Sequence, residues 1–230
     1  MSFFSEVWEL LSSAKYMDML FTGLGTTLLV SFFAALLGLF LGTVVALVAI
    51  LPDSAFMKIP KFICKLYVTI IRGTPMALQL FIMVYAIFAI RGFPQQITAI
   101  IAFGINSGAY VSESIRGGIL SVDIGQTEAG RALGLPHGVT LMKIVIPQAI
   151  KNVIPAIGNE LIALIKETSI VSMIGMYDLT QAAKVIGAGN NMASYIVPMF
   201  VAACFYLTIV YALTFGIKIL EKRLRAGDRR

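Results

Sequence analysis

Three carboxylates set into apolar runs, Glu113, Glu160 and Glu167, are the residues with the most chemistry to offer. An ionised group in such surroundings needs a partner, a shifted pKa or a task such as proton relay or ligand binding. Glu113 stands three positions before Arg116, a spacing that puts both on one helical face. Asn159 and Glu160 are adjacent and too deep in their run to snorkel. The carboxylate could hold a cationic side chain or an ammonium group, and the amide could hydrogen-bond a carboxylate. A permanent bond from Glu160 to a neighbouring helix is the equal alternative. Gln79, in another apolar run, joins Asn159, Glu160 and Glu113 as a candidate substrate-binding residue. Glu113, Arg116, Lys166 and Glu167 could equally be structural ion pairs near helix ends.

Catalysis finds no support. The single histidine, His137, has no nearby cysteine or second histidine to share a metal. One histidine in a polar loop also leaves no Ser-His-Asp set to build. No Gly-x-x-x-x-Gly-Lys-Ser/Thr loop is present to cradle nucleotide phosphates, so no nucleotide cofactor is expected in this chain. Cys64 and Cys204 lie far apart in apolar surroundings and read as packing thiols.

The elements that position these groups are membrane helices. With 58% hydrophobic and 13% charged residues and a mean hydropathy of +0.88, a soluble domain of 230 residues is excluded. The apolar runs suit helices rather than barrel strands. The net charge of +6 falls in short clusters between those runs, as the positive-inside rule predicts, and no basic face interleaved with aromatics suggests nucleic acid.

Residues 1–18 have no basic leader, the first cation being Lys15, and predict a short interfacial helix anchored by Trp8, with Glu6 and Glu9 on its polar side. Spans are expected over Met19–Pro52, from after a cytoplasmic loop of Lys58, Lys61 and Lys65 to Ile90, over Gln95–Ile115, from Lys151 onward, and over Tyr195–Ile217. Arg72-Gly-Thr-Pro75 falls near the start of the second, where Pro75 breaks the hydrogen-bond pattern and Arg72 can snorkel. Gly38-xxx-Gly42 and Gly104-xxx-Gly108 are close-packing spacings. Arg91-Gly-Phe-Pro94 reads as a tight external turn, and residues 176–192 as an external loop with a short helix. Five spans with a basic cytoplasmic tail, 218–230, place the N-terminus outside. Only Lys15, Arg91 and Lys184 of the 18 lysines and arginines then lie in external segments. Residues 1–230 read as one transmembrane domain without repeats.

Between the third and fourth spans lies a polar segment, 121–147. Asp123 can cap a helix and Gln126 can reach back to it, a variant of the capping box. The helix should stop at Gly134, with Pro136 preventing its return. Ala129, Gly130, Ala132 and Gly134 give it little bulk, so another protein's backbone could approach closely.

The segment resembles the signature of ABC importer membrane subunits: Glu-Ala-Ala, three residues, Gly, nine residues, Ile, one residue, Leu-Pro. The match is at Glu128, Ala129, Gly134, Ile144 and Pro147, with Gly130 for the second Ala and Ile146 for Leu. Arg72-Gly-Thr-Pro75, Gly108–Gly118, Pro147-Gln-Ala149, Asn159-Glu-Leu-Ile, Lys166–Ser172 and the opening Thr22-Gly-Leu-Gly-Thr-Thr-Leu resemble the polar amino-acid uptake branch over almost the whole chain.

That resemblance implies an all-α type I importer permease of the bacterial cytoplasmic membrane, multi-pass and without enzymatic activity of its own. Two permease subunits, identical or paralogous, would sit on two ABC ATPase subunits that bind ATP and Mg, and would receive a polar amino acid from an extracytoplasmic binding protein. Glu128, Ala129, Gly130, Arg131, Gly134, Leu135 and His137 would form the coupling contact with the ATPase. Glu128 could instead only favour its own helix N-terminus. A secondary transporter driven by an ion gradient is the alternative, against which stand the coupling segment and the lack of an inverted repeat.

Overall fold

The computed structural model describes residues 3–189 and 195–226, and the described residues hold helices and connecting turns but no strand. Readings that touch Ser2, residues 190–192 and the end of the basic tail lie outside them. The helices are α1 Phe3–Ser12, α2 Ala14–Ile50, α3 Lys58–Gly73, α4 Met76–Ile82, α5 Gln95–Leu120, α6 Ile124–Ala132, α7 His137–Thr140, α8 Ile146–Glu167, α9 Leu179–Gly187 and α10 Ile196–Arg225. A π-helical turn follows α4 at Met83–Ile87, another joins α7 to α8 at Leu141–Val145, and a 3-10 turn extends α8 over Thr168–Ile174.

α2 runs 37 residues, about 55 Å at 1.5 Å per residue, well beyond a hydrocarbon core of about 30 Å. Among the described residues, three helical stretches are long and apolar enough to cross a membrane: Ala14–Ile50, His137–Ile174 and Ile196–Leu224. The broken pair α3–α4 makes a fourth if counted as one span. α5 does not pass that test. It carries Asn106, Ser107 and Ser112, all buried beside Ala102, Phe103, Ala109 and Val111. A helix packed inside protein has no need of an apolar exterior.

Two boundaries differ from the sequence reading. Lys58, Lys61 and Lys65 belong to a helix, not a loop. Among and after them Ile59, Phe62, Ile63, Leu66 and Ile70 recur at helical spacing on an exposed face, a basic amphipathic pattern. Arg72-Gly-Thr-Pro75 therefore closes α3 instead of opening a span. Thr74 is extended at φ −121°, ψ 145°, as expected before proline. The fourth long helix also begins earlier than Lys151, since α7, the π turn and α8 run on from His137.

The chain forms two compact units. The first comprises Met1–Leu36, Pro75–Gly104 and Ile162–Ala212. One of its cores gathers Val30, Leu80, Phe103, Leu164 and Val171. The other is built on α9, where Leu179, Ala182, Ala183 and Ile186 form a single stripe against Leu10, Leu20, Val197 and Val201. The short helix expected in 176–192 is α9, and its apolar stripe is buried. In α1, Glu6 lies inside with Leu10, one turn away, instead of on the polar side, while Phe4 and Trp8 are exposed. Phe93 donates its backbone N–H to the Ile90 carbonyl at 3.0 Å, with Gly92 at φ 82°, which makes Arg91–Pro94 a tight turn.

The second unit comprises Leu37–Thr74, Ile105–Leu161 and Leu213–Arg230. Its helices touch through glycines. A Cβ on Gly38 would stand 2.7 Å from Ser107 Cβ, and one on Gly42 would stand 2.7 Å from Val111 Cβ. The Gly38-xxx-Gly42 face is therefore the seam between α2 and α5. The Tyr67 hydroxyl donates to the Ile105 carbonyl at 2.5 Å, tying α3 to the same helix.

Candidate functional site

The polar segment folds as a closed, capped helix. Asp123 Oδ1 accepts the Gly125 backbone N–H at 2.7 Å and so caps α6. The reciprocal half of the capping box is absent. Gln126 turns away, its Oε1 accepting from Gln148 Nε2 at 3.3 Å, and Gln148 Nε2 also donates to the Ile144 carbonyl at 2.9 Å. At the other end Leu135 N donates to Gly130 O at 3.0 Å and Gly134 N to Arg131 O at 2.9 Å, a Schellman motif. It needs a left-handed residue, and Gly134 supplies it at φ 75°. Pro136 then opens α7.

The small residues divide by role. A Cβ on Gly130 would stand 2.6 Å from Thr140 Cγ2. Gly130 is buried, and its lack of a side chain makes room for Thr140 of α7. A Cβ on Gly134 would meet nothing within 4 Å, so backbone conformation, not crowding, requires glycine there. Glu128, Ala129, Arg131 and His137 are exposed, and Leu135 is half-buried. Sequence reasoning missed Leu133 and Ile124, exposed at 79% and 72%. Their signal was present: each is a bulky apolar residue on a short polar helix with no apolar stripe to join. Beside α6 lies a cleft of about 480 Å³ lined by Ser121, Asp123, Thr127, His137 and Leu141.

Elsewhere in the second unit, Glu113 gathers two arginines. Arg116 donates Nε to Oε1 at 3.0 Å and Nη2 to Oε2 at 2.7 Å. Arg72 Nη1 lies 3.6 Å from Oε2, with its guanidinium 5.2 Å from the centroid of the Tyr110 ring. Arg72 therefore faces α5, where snorkelling was expected. For Glu113 and Arg116 the ion-pair alternative describes the geometry seen. Lys166 and Glu167 are side by side and exposed at the end of α8. Asn159 is exposed and Glu160 half-buried, about two-thirds of the way along α8. Glu160 has a polar interaction within the chain. These two and Glu113 belong to the second unit, and Gln79, half-buried on α4, belongs to the first.

The sequence reading also passed over Asp178. It is fully buried and caps α9 by accepting from Gln181 N at 2.8 Å and Thr180 N at 3.1 Å. The Tyr206 hydroxyl donates to it at 3.4 Å, and the Leu179 N–H goes to Thr27 Oγ1 at 3.2 Å. Burial pushes the Asp178 carboxyl above its ordinary range, against the pull of the hydrogen bonds it accepts. An Asp three residues before a Gln at the head of an apolar stripe was its signal. Among the described residues no group of His, Cys, Asp and Glu is placed to hold a metal.

A helical membrane subunit with a capped polar helix between its long apolar ones is the class this fold defines. The chain belongs to the family of binding-protein-dependent transport system inner membrane components, whose model matches residues 38–226. It is 41% identical over 208 residues to the arginine transport system permease protein ArtQ of Bacillus subtilis, covering 90% of this chain and 92% of that one. It is 40% identical to the putative glutamine transport system permease protein GlnP of Rickettsia felis, with 91% and 95% covered. The L-cystine transport system permease protein TcyB of Bacillus subtilis is 38% identical, with 82% and 81% covered. A crystal structure of an amino acid ABC transporter with histidines superposes with a TM-score of 0.85 at 37% identity, covering 93% of this chain and 98% of that one. The MetNI methionine ABC transporter in an inward-facing form shares the fold at a TM-score of 0.75 and 21% identity, with 92% and 99% covered. The fold is that of a type I ABC importer permease.

Proposed function

We propose that this chain is the membrane subunit of an ATP-driven importer of polar amino acids, working as one permease domain of the bacterial cytoplasmic membrane. Two permease subunits, identical or paralogous, stand on two ATPase subunits that bind ATP and Mg and take substrate from an extracytoplasmic binding protein. The observation that carries the reading is α6, a capped, Schellman-closed helix that presents Glu128 and Arg131 to solvent, with Leu133 and His137 exposed just past its end. A rigid polar helix with an exposed apolar anchor suits docking into a groove of a soluble partner. ATP binding then moves the helix, and the helix switches the pathway between inward- and outward-facing states.

The topology proposed has five crossings, with α5 as the fifth and the N-terminus outside. Lys58, Lys61, Lys65, the α6 region and the α10 tail then share the cytoplasmic side. The substrate candidates are Gln79, Glu113, Asn159 and Glu160. A cationic amino acid is favoured by the Glu160 carboxylate on α8, and a relative named for arginine supports it. A relative named for glutamine at nearly equal identity keeps the side chain to be decided by experiment.

Co-purification tests the assembly. The chain expressed with its neighbouring ATPase should be recovered as a stable complex whose ATP turnover rises with loaded binding protein. Recovery of the chain alone, with no ATPase bound under conditions where both are folded, contradicts the reading.

A further inference from the structure

The second unit contains a cleft of about 460 Å³ bounded by α2, α3 and α5, and the transport reading draws on only one of its residues, Glu113. Four cations line it, Lys61, Lys65, Arg72 and Arg116, against one carboxylate, Glu113. Their availability differs. Glu113 already engages Arg116 at 2.7 Å and Arg72 at 3.6 Å. Among the described residues Lys61 is paired only with Asp53, at 2.5 Å, and that carboxylate is 92% exposed. An ion pair so open to water is weak and exchangeable. Lys65 has no ion pair among the described residues. The two lysines are four residues apart and share one helical face. Past them the wall is apolar, with Val45 and Ala46 from α2 and Val68 from α3. The opposite face of α3 exposes Ile59, Phe62, Ile63 and Leu66.

We infer that this cleft binds an anionic phospholipid, with its phosphate on Lys61 and Lys65 and its glycerol and acyl stem against the wall of Val45, Ala46 and Val68. Each part is matched. A phosphodiester supplies the negative charge that two available ammonium groups lack, and an apolar wall beside them excludes a purely hydrophilic anion as the better ligand. A basic amphipathic helix places its cations at headgroup depth. The inference needs the chain to sit in a bilayer and does not depend on what it transports.

The test uses the full chain in a neutral detergent, titrated with short-chain phosphatidylglycerol, phosphatidylcholine or inorganic phosphate and followed by thermal unfolding and by native mass spectrometry of retained lipid. Phosphatidylglycerol should stabilise the protein and remain bound, and phosphatidylcholine should not. Lys61→Gln with Lys65→Gln should weaken that binding roughly tenfold or more, while Lys61→Arg with Lys65→Arg should keep it and so shows that the site still folds. Lys218→Gln with Lys222→Gln, which removes equal charge on α10, should bind as the parent does. Three results overturn the inference: equal stabilisation by both lipids, the full effect from inorganic phosphate alone, or equal weakening in the α3 and α10 variants.

Discussion

At the scale of single residues, Gly134, Asp178 and Glu160 each make a demand that a substitution can expose. Gly134 sits at φ 75° with free space around it, so Gly134→Leu is penalised by strain of about 1–2 kcal/mol and not by a clash. Gly134→Asn, which tolerates that region, should cost much less. Both should insert and fold, and ATP turnover should become uncoupled from transport in the leucine variant alone. Equal behaviour of the two in a coupled assay counts against the backbone argument. For Asp178 the sign follows from the raised carboxyl: the native state holds its proton more tightly than the unfolded one. Its contribution to stability is full below the ordinary value of 3.8 and is lost as pH rises through the raised value. Asp178→Asn keeps an N-cap acceptor and should flatten that part of the stability profile, as read by thermal unfolding from pH 4 upward. Glu160→Gln removes charge while keeping shape. It should depress uptake of arginine, lysine or histidine much more than uptake of glutamine with the same binding protein. Equal loss for all four marks Glu160 as structural.

At the scale of elements, α6 separates two kinds of small residue. Gly130→Val must displace Thr140 and should destabilise the α6–α7 pair, lowering yield and unfolding temperature. Leu133→Ser, at a 79% exposed position, should leave stability within about 0.5 kcal/mol and weaken binding of the ATPase subunit measured by co-purification. Unchanged binding removes Leu133 from the docking surface. The helix itself was legible from sequence because its limits are set locally, by Asp123, Gly134 and Pro136. What Gly130 touches was not legible, since Thr140 reaches it only after the chain turns at Pro136. The same holds for Glu6 and Asp178, polar residues buried by elements distant in sequence. α3 was misread for a different reason: its three lysines resembled a loop, although the apolar residues between them keep helical spacing.

At the scale of the whole molecule, composition was enough to place the chain among helical membrane proteins, and motif spacing was enough to place the family. Apolarity reports exposure to lipid, and α5, largely buried, lacks the hydropathy of the other long helices. Asn106 and Ser107 are affordable there for the same reason that they hide the helix from a hydropathy test. ATP, and no ion gradient, is expected to drive uptake through this subunit. The direct measurement is accumulation of labelled arginine or glutamine in sealed proteoliposomes holding the permease–ATPase complex, with binding protein on the substrate side and ATP on the ATPase side. Uptake is predicted to require ATP and to persist when ionophores abolish every gradient. Uptake that proceeds without ATP and collapses with the ionophores contradicts the account.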